Sequence, residues 1–255
     1  MARGPEKELQ PATDRRRFFG APDGPLTCSA LEAQLDPTPA GTDRTAGTAL
    51  RRRRLAVLAG HQAHAGTAVA LAGDPEPSVR AAALGALARL GALNADRVVE
   101  ALADSDPLVR HRASKIAGQI ASRESSAPRA SALLDALTGA LGDSDSAVAE
   151  AAAWALGEWG PASAGEPVDA LCRMAREHSD PLCREAAVAA LGAIGAARAL
   201  PSILGALEDR PAVRRRAAIA LAAFDDPRAE DGLRRCLNDR DWQVRQTTEE
   251  LLDYE

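Results

Sequence analysis

The chain has few aromatic side chains: they make up 3% of its 255 residues, although 46% of the residues are hydrophobic. Alanine dominates that hydrophobic fraction. Large side chains are what fill a single thick core, so this composition excludes one compact core for the whole chain. Small side chains instead suit closely approaching helices in which each repeat contacts only its neighbours, which predicts a thin, elongated core.

The sequence also lacks a strong charge bias and any long apolar run. Its net charge is −5, which gives no global attraction to nucleic acid or to an anionic membrane. No apolar stretch approaches the roughly 20 residues that a membrane helix needs, and the residues after Met1 lack the apolar region of a secretory signal. We therefore expect a soluble, cytoplasmic protein without membrane contact.

Motifs for catalysis or metal binding are missing as well. The four cysteines include no C-x-x-C pair, and Cys172, Cys183 and Cys236 fall on apolar positions of the helical pattern. We expect them to be reduced packing residues. His61 and His64 have a spacing compatible with a metal, but no further ligand completes it. Since there is also no phosphate-binding loop or nucleophile motif, we predict no catalytic residue, no metal and no cofactor.

One phrase recurs along the chain: an Asp-rich turn, a Val-Arg pair and an Ala-rich stripe that ends in Leu-Gly, clearest over residues 74–91. Its valine position, called the Val slot below, is occupied by Val79, Val109, Val148, Cys183, Val213 and Val244. Successive slots are 30 to 39 residues apart, the period of solenoids built from helical hairpins. Apolar residues four, seven, eight and eleven positions after each slot share one helix face. The pattern predicts an all-α solenoid of about six to seven hairpins over 46–255, opening with a hairpin over 48–72.

Residues 1–45 are rich in proline, glycine, threonine and charge, which predicts a flexible leader or an N-terminal cap. Their one apolar cluster is Phe18-Phe19, directly after Arg15-Arg16-Arg17. We expect this cluster to pack on the first repeat as a cap. The alternative is a docking motif for another protein.

The phrase Asp-x-x-x-x-Val-Arg-x-x-Ala-x-x-Ala-Leu-x-x-Leu-Gly resembles HEAT repeats, particularly the short bacterial type also seen in phycobilin lyase subunits. The resemblance covers about 48–255 and implies an α-α superhelix whose second helices line the concave side. It also implies a ladder that braces adjacent hairpins, formed here by Asp74, Asp104, Asp143 and Asp239 with Arg80, Arg110, Arg184, Arg214 and Arg245. The third repeat has Ala149 where the arginine belongs. Either the ladder is dispensable there, or the groove is cleared for a ligand.

If second helices line a groove, its ridge follows the positions two, six and ten residues after the Val slot, which are i, i+4 neighbours. Binding candidates on this ridge are His111, Lys115, Gln119, Glu150, Trp154, Glu158 and Arg215. Trp154 leads because tryptophan is enriched in binding hot spots, and its alternative role is packing against a neighbouring helix. Lys115 is expected either to bind an acidic group or to pair with Glu150.

We expect a non-catalytic scaffold or adaptor that holds another protein, or an extended peptide segment, in the concave groove around repeats two to four. The alternative is an enzyme or enzyme accessory, since HEAT-like solenoids include bilin lyase subunits and alkylpurine DNA glycosylases. On DNA, Trp154 would stack on an exposed base while Glu150 or Glu158 acts electrostatically. The acidic net charge and the lack of a continuous basic wall count against nucleic acid.

Overall fold

A computed structural model describes residues 44–121 and 127–252, so the predicted leader lies outside the described residues. These two ranges form thirteen α-helices and no strand, which confirms the predicted all-α class. The helices are α1 Arg44–His61, α2 Ala65–Leu71, α3 Pro77–Arg89, α4 Ala95–Leu102, α5 Pro107–Gln119, α6 Ala127–Ala140, α7 Ser146–Trp159, α8 Glu166–Glu177, α9 Pro181–Ile194, α10 Leu200–Gly205, α11 Pro211–Leu221, α12 Pro227–Cys236 and α13 Trp242–Leu252.

The turn residues of the repeat set where these helices begin and end. The Asp106 and Asp180 carboxylates accept hydrogen bonds from backbone N–H groups in the first turns of α5 and α9, and each aspartate precedes a proline at the first helical position. Past the ends of α3 and α9, Gly91 and Gly195 adopt positive φ angles of 64° and 68°. Glycine reaches that conformation without a Cβ clash, so it stops the helix there.

The helices alternate between two layers. The odd-numbered helices, which carry the Val slot from α3 onward, are called inner helices, because most neighbouring odd-numbered helices pack more closely on one another than neighbouring even-numbered helices do. Closer spacing of one layer curves the stack toward that side. The even-numbered, outer helices therefore lie on the convex side, as the resemblance implied.

Glycine and alanine allow the inner helices to approach so closely. A Cβ added at Gly157 of α7 would lie only 3.1 Å from the Ala190 Cα of α9, and the same holds for Gly118 of α5 against the Ala155 Cα of α7. Such contacts bring backbone against side chain across the junction. The alanine-rich composition thus follows from the spacing of the inner layer.

The core follows the predicted register. Each Val-slot residue is buried: Val79, Val109, Val148, Cys183, Val213 and Val244. Leu156 and Trp159 are buried too, and Trp159 Nε1 donates a hydrogen bond of 3.1 Å to the Ala117 carbonyl oxygen. Cys172, Cys183 and Cys236 are free and buried, as predicted, and burial raises the pKa of the Cys183 thiol to about 11.

The first two helices contact each other over the predicted opening hairpin, but their order of inner and outer layer is the reverse of that in the later hairpins. Helix α1 packs mainly on α3, in the manner of two successive inner helices, whereas α2 is the outer partner of α3. Arg52 of α1 also forms the bidentate ion pair with Asp74 that an inner-helix arginine makes with the next turn. The helix over residues 48–61 therefore corresponds to the second helix of a repeat. The sequence pattern did not reveal this, because Arg51 occupies its Val slot in place of an apolar residue.

A ladder of bidentate ion pairs braces successive hairpins. In each pair the arginine after the Val slot donates through Nε and Nη2 to the aspartate of the next turn, at 2.6 to 3.0 Å. The pairs are Arg52–Asp74, Arg80–Asp104, Arg110–Asp143, Arg184–Asp209 and Arg214–Asp239. Hydrogen bonds from these arginines hold the pKa of all five aspartates below the usual range. Arg52 and Asp209 are members that the sequence analysis missed, whereas Arg245 forms no ladder pair with the described residues and donates from Nη1 to the Asp239 carbonyl oxygen at 2.7 Å.

The junction between α7 and α9 lacks this pair on both sides. Ala149 stands in place of the arginine and is fully buried, and His178 stands in place of the turn aspartate. His178 Nδ1 keeps the aspartate's local role by accepting a hydrogen bond from the Asp180 backbone N–H at 3.1 Å. Across the junction, the Cys183 thiol donates to the Ser146 carbonyl oxygen at 3.3 Å. The loss of the ladder here is therefore a paired replacement.

Candidate functional site

Trp154 lies midway along α7, on the inner face of the solenoid, and is half-buried. Its ring rests on Gly118 of α5, since a Cβ at that glycine would lie 2.6 Å from the Trp154 Cζ3 atom. The Lys115 ammonium, one turn earlier on α5, stands 4.8 Å from the ring centroid in a cation–π contact. The ring is thus held by α5, and the rest of it lines a groove.

This groove, called the inner groove below, has a volume of about 430 Å³. Its floor is the inner face of α9, where Ala186, Ala189 and Ala193 present only methyl groups. These short side chains leave the space between Trp154 on one side and Arg216 of α11 on the other. Leu182, which is 59% exposed, closes one end with an apolar surface.

The charges of the inner groove are unevenly balanced. Glu185 and Arg216 pair across it at 3.3 Å, and Lys115 is occupied by the Trp154 ring. Glu150 and Glu158 stand one helical turn to either side of Trp154, both exposed, and neither has an ion-pair partner within residues 44–121 and 127–252. The groove therefore presents an aromatic and aliphatic surface between two carboxylates that form no ion pair, with one more negative than positive side chain in its lining.

The structure brings together four of the seven residues singled out from the sequence. Lys115, Glu150, Trp154 and Glu158 line the inner groove. His111 and Gln119 lie on α5 beyond its lining. Arg215 donates from Nη1 to Gln243 Oε1 at 3.1 Å and so faces α13.

The groove has further lining residues beyond the ridge positions. Arg216, which the basic run Arg214-Arg215-Arg216 also placed near the groove, lines it because a helical residue three positions past the Val slot borders the inner face. Leu182 lies one position before its slot, and Gly157 and Ala190 were assigned no role beyond the repeat pattern. Glu185 did fall on the predicted ridge. It was not selected because the other two ridge positions of its repeat are alanines, Ala189 and Ala193.

The described residues, 44–121 and 127–252, offer neither a metal-binding cluster nor a helix suited to a membrane. No group of three or more histidine, cysteine, aspartate or glutamate side chains there is placed to hold a metal ion. No helix among residues 44–121 and 127–252 is both long and apolar enough to cross a bilayer.

The fold is shared by several solved structures. An engineered protein aligns at 20% identity with a TM-score of 0.58, over 89% of this chain and 67% of its own. YibA of Escherichia coli aligns at 20% identity with a TM-score of 0.55, over 86% and 77%. Kap121p aligns at 18% identity with a TM-score of 0.60 over 84% of this chain, which matches only 26% of Kap121p. Identities this low show a common fold and nothing finer.

Sequence comparison gives a family. No curated protein matches the chain. The family described as HEAT repeats matches residues 95–168, 134–219 and 168–253, which together cover more than half of the chain. These segments contain five of the six Val slots and four of the five ladder aspartates. The chain therefore belongs to the HEAT-repeat family.

Proposed function

We propose that this chain is a non-catalytic scaffold that holds a segment of another protein in the inner groove beside Trp154. The observation that carries the proposal is the half-buried Trp154 ring, fixed by Gly118 and Lys115 and flanked by the unpaired carboxylates of Glu150 and Glu158. A rigid aromatic anchor with a polar rim is the usual centre of a protein interface.

The shape of the inner groove favours an elongated ligand. Its lining comes from four successive inner helices, α5, α7, α9 and α11. With helix spacings of 8–10 Å, the lining extends over roughly 30 Å, the length of about nine residues of extended chain. Such a segment would place apolar side chains on Trp154 and the alanine floor, and cationic side chains near Glu150 and Glu158.

Capture from native extract, with nuclease treatment and mass spectrometry, tests this function. A Lys115→Ala/Trp154→Ala variant is compared with wild type and with Trp242→Ala, because Trp242 is 61% exposed and lies outside the inner groove. We expect one protein to be retained by wild type and by the control but lost with the double variant. A Glu150→Gln/Glu158→Gln variant, altered only at exposed positions, checks that the loss is not caused by unfolding.

Equal capture by all variants would refute the assignment of the groove. Capture abolished by nuclease would replace the protein partner with nucleic acid. Circular dichroism of the double variant should keep its helical signal, since Trp154 is only half-buried and its removal leaves the Val-slot core intact.

A further inference from the structure

We propose that residues 15–19 of this same chain, Arg15-Arg16-Arg17-Phe18-Phe19, are an intramolecular ligand of the inner groove. The proposal rests on the proposed function, because it uses the same surface, and it names the chemistry of the occupant: adjacent arginine and aromatic side chains.

Charge complementarity favours residues 15–19 as the occupant of the inner groove. Glu150 and Glu158 are exposed and form no ion pair within the described part of the chain, and the three carboxylates that line the groove outnumber its two cations, Lys115 and Arg216. An occupant that adds positive charge therefore compensates the groove. Residues 15–17 supply three consecutive arginines, whose planar guanidinium groups suit bidentate contact with carboxylates.

The spacing of Glu150 and Glu158 along α7 also fits a segment of this length. Glu150 and Glu158 are eight residues apart on α7, or about 12 Å along the helix, with Trp154 midway. Five extended residues span about 16 Å, so arginine side chains can reach the carboxylates while a phenylalanine contacts the indole ring and the alanine floor. Phe18 and Phe19 are the only aromatic residues of the sequence that precede Trp154.

The chain between Phe19 and α1 is long enough to bring the segment to the inner groove. Residues 20–43 join Phe19 to the start of α1, and 24 residues can extend over roughly 80 Å. Three inner-helix spacings of 8–10 Å separate α1 from α7, a distance of roughly 30 Å. A tether of this length gives an effective concentration on the order of millimolar, so even weak contacts between the segment and the groove are populated.

The surface of α1 is a less favourable binding surface for the same segment. Helix α1 carries Arg51-Arg52-Arg53-Arg54, of which Arg53 and Arg54 are exposed. Packing Arg15–Arg17 beside them would bring like charges together. The cap on the first repeat that Phe18-Phe19 suggested from sequence alone is therefore disfavoured electrostatically, while the inner groove is favoured.

The test is photo-crosslinking in the full-length chain. Phe18 is replaced by p-benzoylphenylalanine, the dilute protein is irradiated, and the crosslinked residues are mapped by mass spectrometry after the monomer band has been isolated. We expect crosslinks within one chain to α7 or α9. Crosslinks to α1, α2 or α3, crosslinks only between two chains, or no crosslink would each overturn the proposal.

Charge reversal sharpens the test. Glu150→Arg/Glu158→Arg should reduce the crosslink about tenfold, because two attractive contacts become repulsive. Adding Arg15→Glu/Arg16→Glu/Arg17→Glu to that variant should restore the crosslink. The matched control Glu100→Arg/Glu177→Arg reverses two exposed charges on the outer helices α4 and α8 and should leave the yield unchanged. Yield that is insensitive to the groove charges would overturn the proposal.

The two proposals fail separately. Crosslinks mapping outside α7 and α9, together with partner capture that still depends on Trp154, would leave the scaffold function standing without the intramolecular ligand. Crosslinks in the groove, together with partner capture that ignores Trp154, would support the intramolecular ligand and remove the scaffold function at this surface.

Discussion

The junction between α5 and α7 and the junction between α7 and α9 share a helix but are held by different interactions. At the first, Arg110 pairs with Asp143 through two hydrogen bonds of 2.6 and 2.9 Å. At the second, Ala149 and His178 leave no such pair, yet α7 and α9 pack as closely as any two inner helices. Close apolar packing thus suffices for a junction, and the ladder is an additional, acid-sensitive brace.

The inner groove lies over the junction without the ladder. Glu150 and Trp154 on α7 face Leu182 and Ala189 on α9 across it. The ladder arginines of the neighbouring repeats, Arg110 and Arg184, bind turn aspartates and do not line this groove. Of the two explanations that the sequence left open for Ala149, close packing of α7 on α9 therefore favours the first, that the ladder is dispensable at this junction.

The strongest test of the comparison is Leu156→Asp. Leu156 is fully buried in α7, so a carboxylate there is desolvated without a partner. We expect a loss of more than about 4 kcal/mol in unfolding free energy, with loss of helix in the neighbouring hairpins. Leu108→Asp, at a position 49% exposed, is the control and should change stability by less than about 0.5 kcal/mol. An unchanged melting curve for Leu156→Asp would contradict the core register.

Acid separates the two kinds of junction with a smaller effect. Because Arg110 lowers the pKa of Asp143 in the folded state, their pair stabilises the fold above the unfolded pKa of about 4, and this stabilisation is lost as the pH falls through the lowered pKa. We expect Asp143→Asn to cost about 1–2 kcal/mol at pH 7 and progressively less as the pH falls through the lowered pKa of Asp143.

Thermal unfolding from pH 7 to pH 2 measures this difference. The wild type should lose more stability than Asp143→Asn over the acid range, and Asp135→Asn, at an exposed position of α6, should follow the wild type. Parallel curves for wild type and Asp143→Asn would show that the ladder contributes no acid-sensitive stability.

The smallest expected effect comes from building the missing ladder pair. Ala149→Arg alone buries a guanidinium opposite His178, and His178→Asp alone adds a carboxylate without an arginine. We expect the double variant to be more stable than the sum of the two single-variant effects predicts. The coupling in a double-mutant cycle should be about 1 kcal/mol. Strict additivity by chemical denaturation would mean that the two positions do not meet across the junction.

The sequence was sufficient for the repeat, the Val-slot core and the ladder because each is a local pattern copied several times. Val148 and Leu156 could be placed in the core since the same spacing recurs in other repeats. Arg52 was missed because its helix lacks an apolar residue in the Val slot. Asp209 was missed because it lies four residues before its Val slot, whereas the other ladder aspartates lie five residues before theirs.

The groove could be predicted only in part. The ridge rule found Lys115, Glu150, Trp154 and Glu158 from helical periodicity. It could not find Arg216, because which of two neighbouring arginines faces the groove depends on its pairing with Glu185 in another repeat. Such contacts arise from the packing of two helices and are not written in either repeat alone.

The paired replacement at Ala149 and His178 also bears on how the chain can gain or lose hairpins. Removing the hairpin of α4 and α5 would bring Arg80 to Asp143, so a complete ladder pair would form again. Removing the hairpin of α8 and α9 would leave Asp209 opposite Ala149, a carboxylate without its arginine. Removing both hairpins at this junction together would instead bring Arg110 to Asp209 and keep the ladder complete.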